Sequence, residues 1–469
     1  MDNPTASNQS SLGDFLMKDD RLVRSNIYGH NQGVNPIENW FTLVAGYSGN
    51  FVRECFKRYN IESGQIVLDP FVGTGTTALT SLFDGKRAIG IDVNPFNLLV
   101  AKTKTNFAID RPLLKEYLLE LREVLKPYLA ADTDYLYEEA QTREIKAHLS
   151  SIWENRKNGN GEEGNGTDVV PMPHLHEWIS PRVLSKVMIL KNAILKVNSR
   201  VQSESIANYG LVAFGAILIP VSNMQLSGPK ICYRRKRGRR VIVRDAPVFR
   251  LFWEKITTME RESTLFTANS VQHVPELHLG DSRSVDSYVR EEVDIAITSP
   301  PYLNEVDYLD NTRLQLYFLD FLSSDSDLRA IKERMIRANS KYLYKDNRDF
   351  PENAPDIPAF IEISELCEKI SVKRNDRKWG WDHPRLVGEY FIDMARHLQG
   401  VKNCLKDNGH YIIMVGDSAI NQVLVPTDML LAQIALDIGY AHAEVEPFRW
   451  RGSSRHTTNL RESAIILTN

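Results

Sequence analysis

One stretch, residues 64–94, restricts the fold more than any other part of the chain. It opens with a short β-branched run, GQIVLDPF (64–71), continues as a glycine turn and apolar helix pattern, GTGTTALTSLFDG (73–85), and closes with KRAIGIDVN (86–94). A strand, a helix and a strand in that order form a βαβ unit, whose strands are parallel and whose crossover is right-handed. The pattern therefore predicts an α/β protein built on a parallel sheet.

The strand pattern stops after this unit and resumes near residue 276. Helical periodicity and a basic stretch fill most of the interval, so the simplest architecture is one α/β domain interrupted by a mostly helical insertion. A separate helix is expected over WFTLVAGYSGNFVRECFKRY (40–59). Further strands are expected within ELHLGDSRS (276–284), EVDIAITSPPY (292–302), HYIIMVGDS (410–418) and ESAIILTN (462–469).

These patterns divide the chain into four segments. The polar, aperiodic residues 1–25 are expected to form a flexible arm, and residues 26–110 the first part of the sheet domain. Residues 111–275 are the inserted region, to which target recognition is assigned, and residues 276–469 complete the sheet domain.

The composition is that of an ordinary globular protein, with 42% hydrophobic and 25% charged residues among 469. A net charge of −3 gives no overall signature of a nucleic-acid binder. No apolar run is long enough to cross a membrane, and the N-terminus has no signal-peptide pattern, so a cytoplasmic location is expected. The four cysteines form no C-x-x-C pair and predict neither zinc nor disulfides.

The segment DPFVGTGTT (69–77) places unobstructed backbone N–H groups where a strand meets a helix. No Lys-Ser/Thr follows the glycines as in a P-loop, and Asp69 at its start would repel a polyphosphate. A carboxylate suits a cationic ligand, and S-adenosylmethionine (AdoMet), with its ammonium and sulfonium, fits. By itself such a glycine loop is also typical of a simple tight turn.

Asp92 ends the next strand, where an acidic side chain can accept both hydroxyls of a ribose. Asp281 ends another expected strand and is a candidate for contact with an adenine amine; a loop-capping aspartate is the alternative.

Ser299-Pro300-Pro301-Tyr302 follows the apolar run VDIAIT. Proline fixes φ and donates no hydrogen bond, so this tetrapeptide leaves the sheet as a stiff loop. Rigid loops at strand ends are typical places for functional sites.

Together, DPFVGTGTT, GIDVN and TSPPY resemble the AdoMet-dependent amino-methyltransferases of DNA, over residues 30–110 and 276–469. The resemblance implies a Rossmann-like sheet with helices on both faces. Serine in the first position of SPPY is similar to N4-cytosine-specific enzymes, whereas aspartate is usual in N6-adenine enzymes. The AdoMet loop precedes SPPY here, which resembles the alpha-type order, although many N4-cytosine enzymes have the reverse order.

The resemblance also implies roles for individual residues. Ser299 and the Pro300 carbonyl would hydrogen-bond the target amine, Pro301 would stiffen the loop, and Tyr302 would stack on a base flipped out of the duplex. No covalent intermediate is needed, in keeping with the absence of a Pro-Cys dipeptide. The cofactor is expected to be bordered by Asp69, Pro70, Phe71, Gly73, Gly75, Thr76, Thr77, Asp92, Asn94, Asp281, Asn50 and Phe51.

A basic run within the insertion, KICYRRKRGRRVIVR (230–244), is the main candidate for contact with DNA phosphates. A solvated charged loop is the alternative. A second candidate comprises the mixed basic and aromatic residues of 331–350 and 371–381, which could equally be an ordinary amphipathic surface. The residues expected to bind DNA are Lys230, Arg234, Arg235, Lys236, Arg237, Arg239 and Arg240.

The predicted function is site-specific methylation of cytosine N4 in double-stranded DNA, within a restriction–modification system whose endonuclease is a separate polypeptide. No metal is expected, since His174 and His176 lack further ligands at a suitable spacing. The alternatives are N6-adenine methylation, methylation of an RNA base, and a DNA-binding protein with a vestigial pocket.

Overall fold

The computed structural model describes residues 36–42, 46–131, 172–227, 230–264, 273–374, 381–452 and 459–469. The predicted N-terminal arm, residues 1–25, lies outside these ranges.

The described strands form one large sheet and three small hairpins. They are β1 (Ile66–Asp69), β2 (Arg87–Asp92), β3 (Met224–Ser227), β4 (Lys230–Tyr233), β5 (Arg235–Lys236), β6 (Arg239–Arg240), β7 (Glu276–Leu279), β8 (Val293–Thr298), β9 (Leu405–Gly416), β10 (Ser418–Ile420), β11 (Val423–Val425), β12 (His442–Gly452) and β13 (Asn459–Thr468).

The described helices surround the large sheet. They are α1 (Gly49–Arg58), α2 (Thr76–Phe83), α3 (Pro95–Thr105), α4 (Arg111–Ala131), α5 (Leu175–Trp178), α6 (Pro181–Asn198), α7 (Glu204–Val221), α8 (Val248–Ser263), α9 (Arg313–Phe318), α10 (Asp325–Glu333), α11 (Pro358–Arg374), α12 (His383–Lys402) and α13 (Thr427–Asp437). Short 3-10 helices span Pro36–Trp40, Ser282–Ser287, Asp310–Thr312 and Ser340–Tyr342.

The seven strands of the large sheet have the order β7-β2-β1-β8-β9-β13-β12. The five strands from β7 to β9 are parallel, and β13 runs antiparallel between β9 and β12. The predicted mostly parallel α/β architecture is therefore confirmed, and it is consistent with a methyltransferase fold.

Both faces of the sheet are covered, which explains the nearly continuous apolar strands. Leu68 and Ile91 pack with α11 to α13 on one face. Val67 and Ile297 point to the opposite face and pack with Phe51 of α1. Successive residues of a strand point to opposite faces, so each short strand contributes to two cores.

The chain leaves the sheet after α3 and returns at β7, close to the expected limits of the insertion. Helices α4 to α8 share one hydrophobic core with Leu79 of α2 and with Phe96 and Val100 of α3. An independent inserted domain therefore stays a prediction.

Helix α7 has the length and apolar composition of a possible membrane span, with 56% of that window buried inside the structure. Tyr209, Phe214 and Leu218 of this helix lie in the core that it shares with α3. It is therefore packed here as a core helix.

The helix expected over residues 40–59 is wrong in its first half. A 3-10 helix ends at Trp40 and α1 begins only at Gly49, after Ser48 in an extended conformation. Residues 46–48 are thus available to line the functional cleft.

Candidate active site

A cleft opens at the carboxyl ends of β1, β2 and β8, where the loops after these strands meet. The strand order reverses beside β1, and ligands of open parallel sheets bind at such a point. The fold therefore brings together the glycine loop and the SPPY loop, which are more than 200 residues apart. Predicted site residues that line the cleft are Asp69, Phe71, Gly73, Thr76, Asp92, Asn94, Ser299 and Pro301.

The glycine turn has a backbone that requires glycine at two positions. Gly73 and Gly75 have φ of +52° and +91°, in the left-handed region. Gly75 immediately precedes α2, and a Cβ added there would lie 3.1 Å from the Ala101 Cβ of α3. The glycines thus serve both the turn and the close approach of two helices.

Asp92 holds the glycine turn from the neighbouring strand. Its Oδ2 accepts a hydrogen bond from the Gly73 N–H (2.9 Å) and its Oδ1 one from the Asn94 N–H (2.7 Å). Burial raises the pKa of Asp92 to about 6, so the carboxyl is ionised at neutral pH. Asn94 caps α3 by accepting from the Phe96 N–H, and it donates to Thr312 Oγ1 at 2.8 Å.

Asp69 links the two motifs directly. Thr298, the residue before SPPY, donates from Oγ1 to Asp69 Oδ1 at 2.6 Å, and the Phe71 N–H donates to the same oxygen at 3.1 Å. The Tyr47 hydroxyl lies 2.9 Å from Asp69 Oδ2 and 2.5 Å from Thr77 Oγ1. Burial raises the pKa of Asp69, while these donors act in the opposite direction. Asp69 is therefore a buried junction between the loops.

The SPPY loop presents Ser299 and Pro301 to the cleft, whereas Pro300 is buried. Ser299 Oγ donates to the carbonyl of Met414 on β9, at 3.2 Å. Because the hydroxyl proton is used in this bond to β9, the Ser299 oxygen can accept a hydrogen bond from a second group.

Tyr302 does not line the cleft. Its side chain is 6% exposed and packs in the core. The ring lies beside Gly416, where an added Cβ would be 3.1 Å from two of its carbons. The guanidinium of Arg451 lies 5.9 Å from the ring centroid. The aromatic residue of this loop that does line the cleft is Tyr308, whose hydroxyl accepts from the Tyr302 N–H at 3.2 Å.

Asp281 also lies away from the lining. Its carboxylate caps the 3-10 helix that follows β7 and pairs with Arg283, Nη2 to Oδ2 at 2.6 Å. The structure thus shows the capping arrangement that was the alternative for this residue, and contact with adenine stays a prediction.

Phe51 is buried in the core against Tyr47. The other expected cofactor residues that do not line the cleft are Asn50, Pro70, Gly75 and Thr77.

The cleft wall after β7 is fixed by a buried histidine. His397 Nδ1 lies 2.6 Å from the Ser282 carbonyl and its Nε2 lies 2.6 Å from the Tyr411 hydroxyl. Burial lowers the pKa of His397 to about 4, so the imidazole is neutral at physiological pH. Its ring also packs against Phe71, with centroids 4.8 Å apart. His397 therefore holds two lining residues, Ser282 and Phe71, in place.

Sequence reasoning missed two ionisable residues at the cleft, Glu38 and Lys104. Lys104 is 2% exposed and donates from Nζ to the carbonyls of Glu38 (3.0 Å) and Phe41 (2.6 Å). Burial lowers the pKa of Lys104 to about 7 and raises the pKa of Glu38. Their burial depends on packing between segments that are far apart in the chain, which a local sequence pattern cannot predict. Tyr47 was missed because the segment around it was expected to be helical.

The basic run forms an exposed two-stranded hairpin, β5–β6, whose turn residues Arg237 and Gly238 both have positive φ. We call residues 235–240 the basic hairpin. All its basic side chains are exposed, and Arg240 also lies over the Tyr233 ring at 3.8 Å and near Glu177.

Arg234 has a structural role. Its guanidinium donates to the carbonyls of Pro220 (2.8 Å) and Ser222 (2.9 Å), at the end of α7. Carbonyls at a helix end lack partners within the helix, so Arg234 caps α7. Its predicted contact with DNA is less direct than that of the hairpin residues.

No group of three or more His, Cys, Asp or Glu suited to a metal ion occurs in the part of the chain that the structure describes.

Comparison with known proteins agrees with this site. A family model described as DNA methylase matches residues 50–103, which contain the glycine loop and Asp92. The type II methyltransferase M.BsoBI of Geobacillus stearothermophilus is 21% identical over 88% of this chain and 81% of its own length. M.MvaI of Kocuria varians is 20% identical over 78% of this chain and 73% of its own length.

A third relative, the type II methyltransferase M.MjaII of Methanocaldococcus jannaschii, is 23% identical. That match spans 60% of this chain and 60% of the relative. Together with the fold, the comparisons support a DNA amino-methyltransferase, a class that uses AdoMet as methyl donor.

Proposed function

We propose that this chain transfers a methyl group from AdoMet to the N4 amine of cytosine in double-stranded DNA. The observation that carries the proposal is the position of Ser299 in the same cleft as Asp69, Gly73 and Asp92. An acceptor for an amine and a site for a cationic cofactor thus share one cavity.

The donor set of the cleft fits AdoMet. Three carboxylates, those of Glu38, Asp69 and Asp92, are among its lining residues, and they suit an ammonium, a sulfonium and ribose hydroxyls. Asp92 and the glycine turn would hold the ribose and the methionine portion, and Phe71 would border the ring system. When bound, AdoMet supplies an electrophilic methyl group on sulfur.

Ser299 orients the nucleophile. An exocyclic amine conjugated to a base is a poor nucleophile, and an acceptor for its hydrogens draws the lone pair out of the ring. Because Ser299 Oγ donates to the Met414 carbonyl, its lone pairs are the part offered to such an amine. The neighbouring prolines restrict the loop, so this acceptor is positioned before the base arrives.

Asp69 connects the glycine loop to the SPPY loop through hydrogen bonds. It receives the Thr298 hydroxyl and the Phe71 N–H, and the Tyr47 hydroxyl lies beside it. These contacts use most of its acceptor capacity, so we assign it to positioning and not to proton abstraction.

The target base must leave the duplex to reach this cleft. Tyr308 lines the cleft and is half-buried, so we assign the aromatic face of the base pocket to Tyr308, whose hydroxyl accepts from the Tyr302 N–H. The basic hairpin would contact DNA phosphates, a contribution independent of sequence.

The type II relatives support a role in restriction and modification. We propose that the enzyme acts in the cytoplasm, beside an endonuclease that is a separate polypeptide. In that setting the enzyme would modify a short recognition sequence of the host's own DNA.

Methylation of mixed-sequence duplex DNA with labelled AdoMet, followed by digestion to nucleosides and mass spectrometry, tests the proposal. N4-methylcytosine is the expected product. N6-methyladenine would leave the proposed cofactor site unchanged and would overturn the assignment of cytosine as the target base. Label transferred to RNA but not to DNA, or AdoMet binding without transfer, would reject the proposed substrate.

A further inference from the structure

A second cavity adjoins the AdoMet cleft. Asn39, Thr42 and Asn311 line both cavities, so the two share one wall. The second cavity extends from this wall to the last turn of α7 and to β3. The Ile231 N–H of β4 donates to Asn311 Oδ1 at 3.0 Å, which ties the shared wall to the hairpin β3–β4.

The two cavities differ in charge. The lining of the AdoMet cleft carries three carboxylates against two cations, Lys104 and Arg334. The described lining of the second cavity carries two cations, Arg234 and Lys255, and no carboxylate. The first therefore suits a cationic cofactor, and the second suits part of a polyanion.

The remaining lining residues suit a nucleobase. Three side-chain amides, from Asn39, Gln225 and Asn311, line the cavity. Amides can donate to and accept from base edges, although the Asn311 Oδ1 already accepts from the Ile231 N–H. Ala216 and Leu226 add apolar surface against which a base can pack. The exposed basic hairpin follows β4 in the chain and is separated from it by Arg234 alone.

From these observations we propose that the second cavity binds a nucleotide of the substrate strand next to the target nucleotide. Gln225 reads the base, and the positive charges of Arg234 and Lys255 attract the phosphate. The inference rests on the proposed function, since it requires that the cleft itself receives a base from DNA. It assigns part of the sequence specificity to a cavity beside the AdoMet cleft.

Two variants test the proposal without removing a core side chain. Gln225 is half-buried, and its amide lies 4.0 Å from Cys232 Sγ, so Gln225→Ala removes only a weak contact within the protein. Ala216 is also half-buried, and Ala216→Phe would fill the cavity from its α7 wall. Gln399→Ala, an exposed glutamine on α12, is the matched control.

Each protein is incubated with AdoMet and a duplex pool of randomised sequence, and sequencing that detects modified bases reads the context of every methylated site. Wild type and Gln399→Ala should methylate sites with the same flanking sequence. Gln225→Ala should relax discrimination at one position adjacent to the target by roughly 5- to 100-fold, the range for a single base contact. Ala216→Phe should lower methylation while the Kd for AdoMet, measured by calorimetry, stays within about twofold.

The proposal is overturned if both variants keep the context and rate of wild type. It is also overturned if Ala216→Phe loses AdoMet binding, which would make the cavity part of the cofactor site. Wild type that methylates no DNA would instead reject the proposed function itself.

Discussion

The hydrogen bond between Thr298 and Asp69 is the most direct link between the two motifs, and Thr298→Val removes it with little change of shape. Thr298 is fully buried and Asp69 is 3% exposed, so water cannot replace the lost donor. A hydrogen bond to a charged group contributes about 1.5–3 kcal/mol, which corresponds to roughly 10- to 150-fold in an equilibrium constant. We expect the free energy of unfolding to fall by this amount.

Thr103→Val is the matched control. Thr103 is also buried, but its Oγ1 donates to the Leu99 carbonyl within α3, and no buried carboxylate depends on it. The expected loss for this variant is at most about 1 kcal/mol. Denaturant midpoints with and without AdoMet, together with the methylation rate, measure both variants.

The pH dependence separates this explanation from a packing defect. Burial raises the pKa of Asp69 in the folded protein, and losing one donor should raise it further. The penalty of Thr298→Val should therefore be present while Asp69 is ionised and should shrink as the pH falls and the carboxyl takes up a proton. A penalty that does not shrink as the pH is lowered, or that equals the penalty of Thr103→Val at every pH, would refute the role of Asp69 as the link between the loops.

Three further predictions address the cofactor, the amine and the DNA. Ser299→Ala should lower kcat by about a hundredfold with an unchanged Kd for AdoMet, because it removes only the acceptor for the amine; a parallel loss of AdoMet affinity would contradict this. The pKa of Asp92 is about 6, so the Kd for AdoMet should rise as the pH falls below that value, by up to about tenfold per pH unit. Asp92→Asn should bind AdoMet more weakly, with a Kd, measured by calorimetry, that does not change with pH. Alanine at the exposed basic hairpin positions should reduce the slope of log K against log salt by about 0.9 for each DNA phosphate that the variant no longer neutralises, and an unchanged slope would identify a solvated hairpin. The positions changed are Arg235, Lys236, Arg237 and Arg239.

Local sequence predicted six of the seven strands of the large sheet and its two loops, whereas β12 was not predicted. The apolar runs before Asp69, Asp92 and Ser299 predicted strands, and glycine and proline marked where those strands end. These signals are local because φ restrictions and side-chain alternation act over a few residues. Parallel strands place their carboxyl ends at one edge, so even the meeting of the motifs could be anticipated.

Only the tertiary structure decided which side chains face the cleft. Tyr302 turns into the core and Tyr308 lines the wall, because Gly416 on a distant strand leaves space for the first ring. Arg234 resembles its basic neighbours in sequence, yet it caps α7. The burial of Lys104, and with it a pKa near 7, likewise depends on the segment at residues 36–42 packing across α3. Such contacts join residues far apart in the chain, and their free energy depends on burial and geometry that a local pattern does not contain.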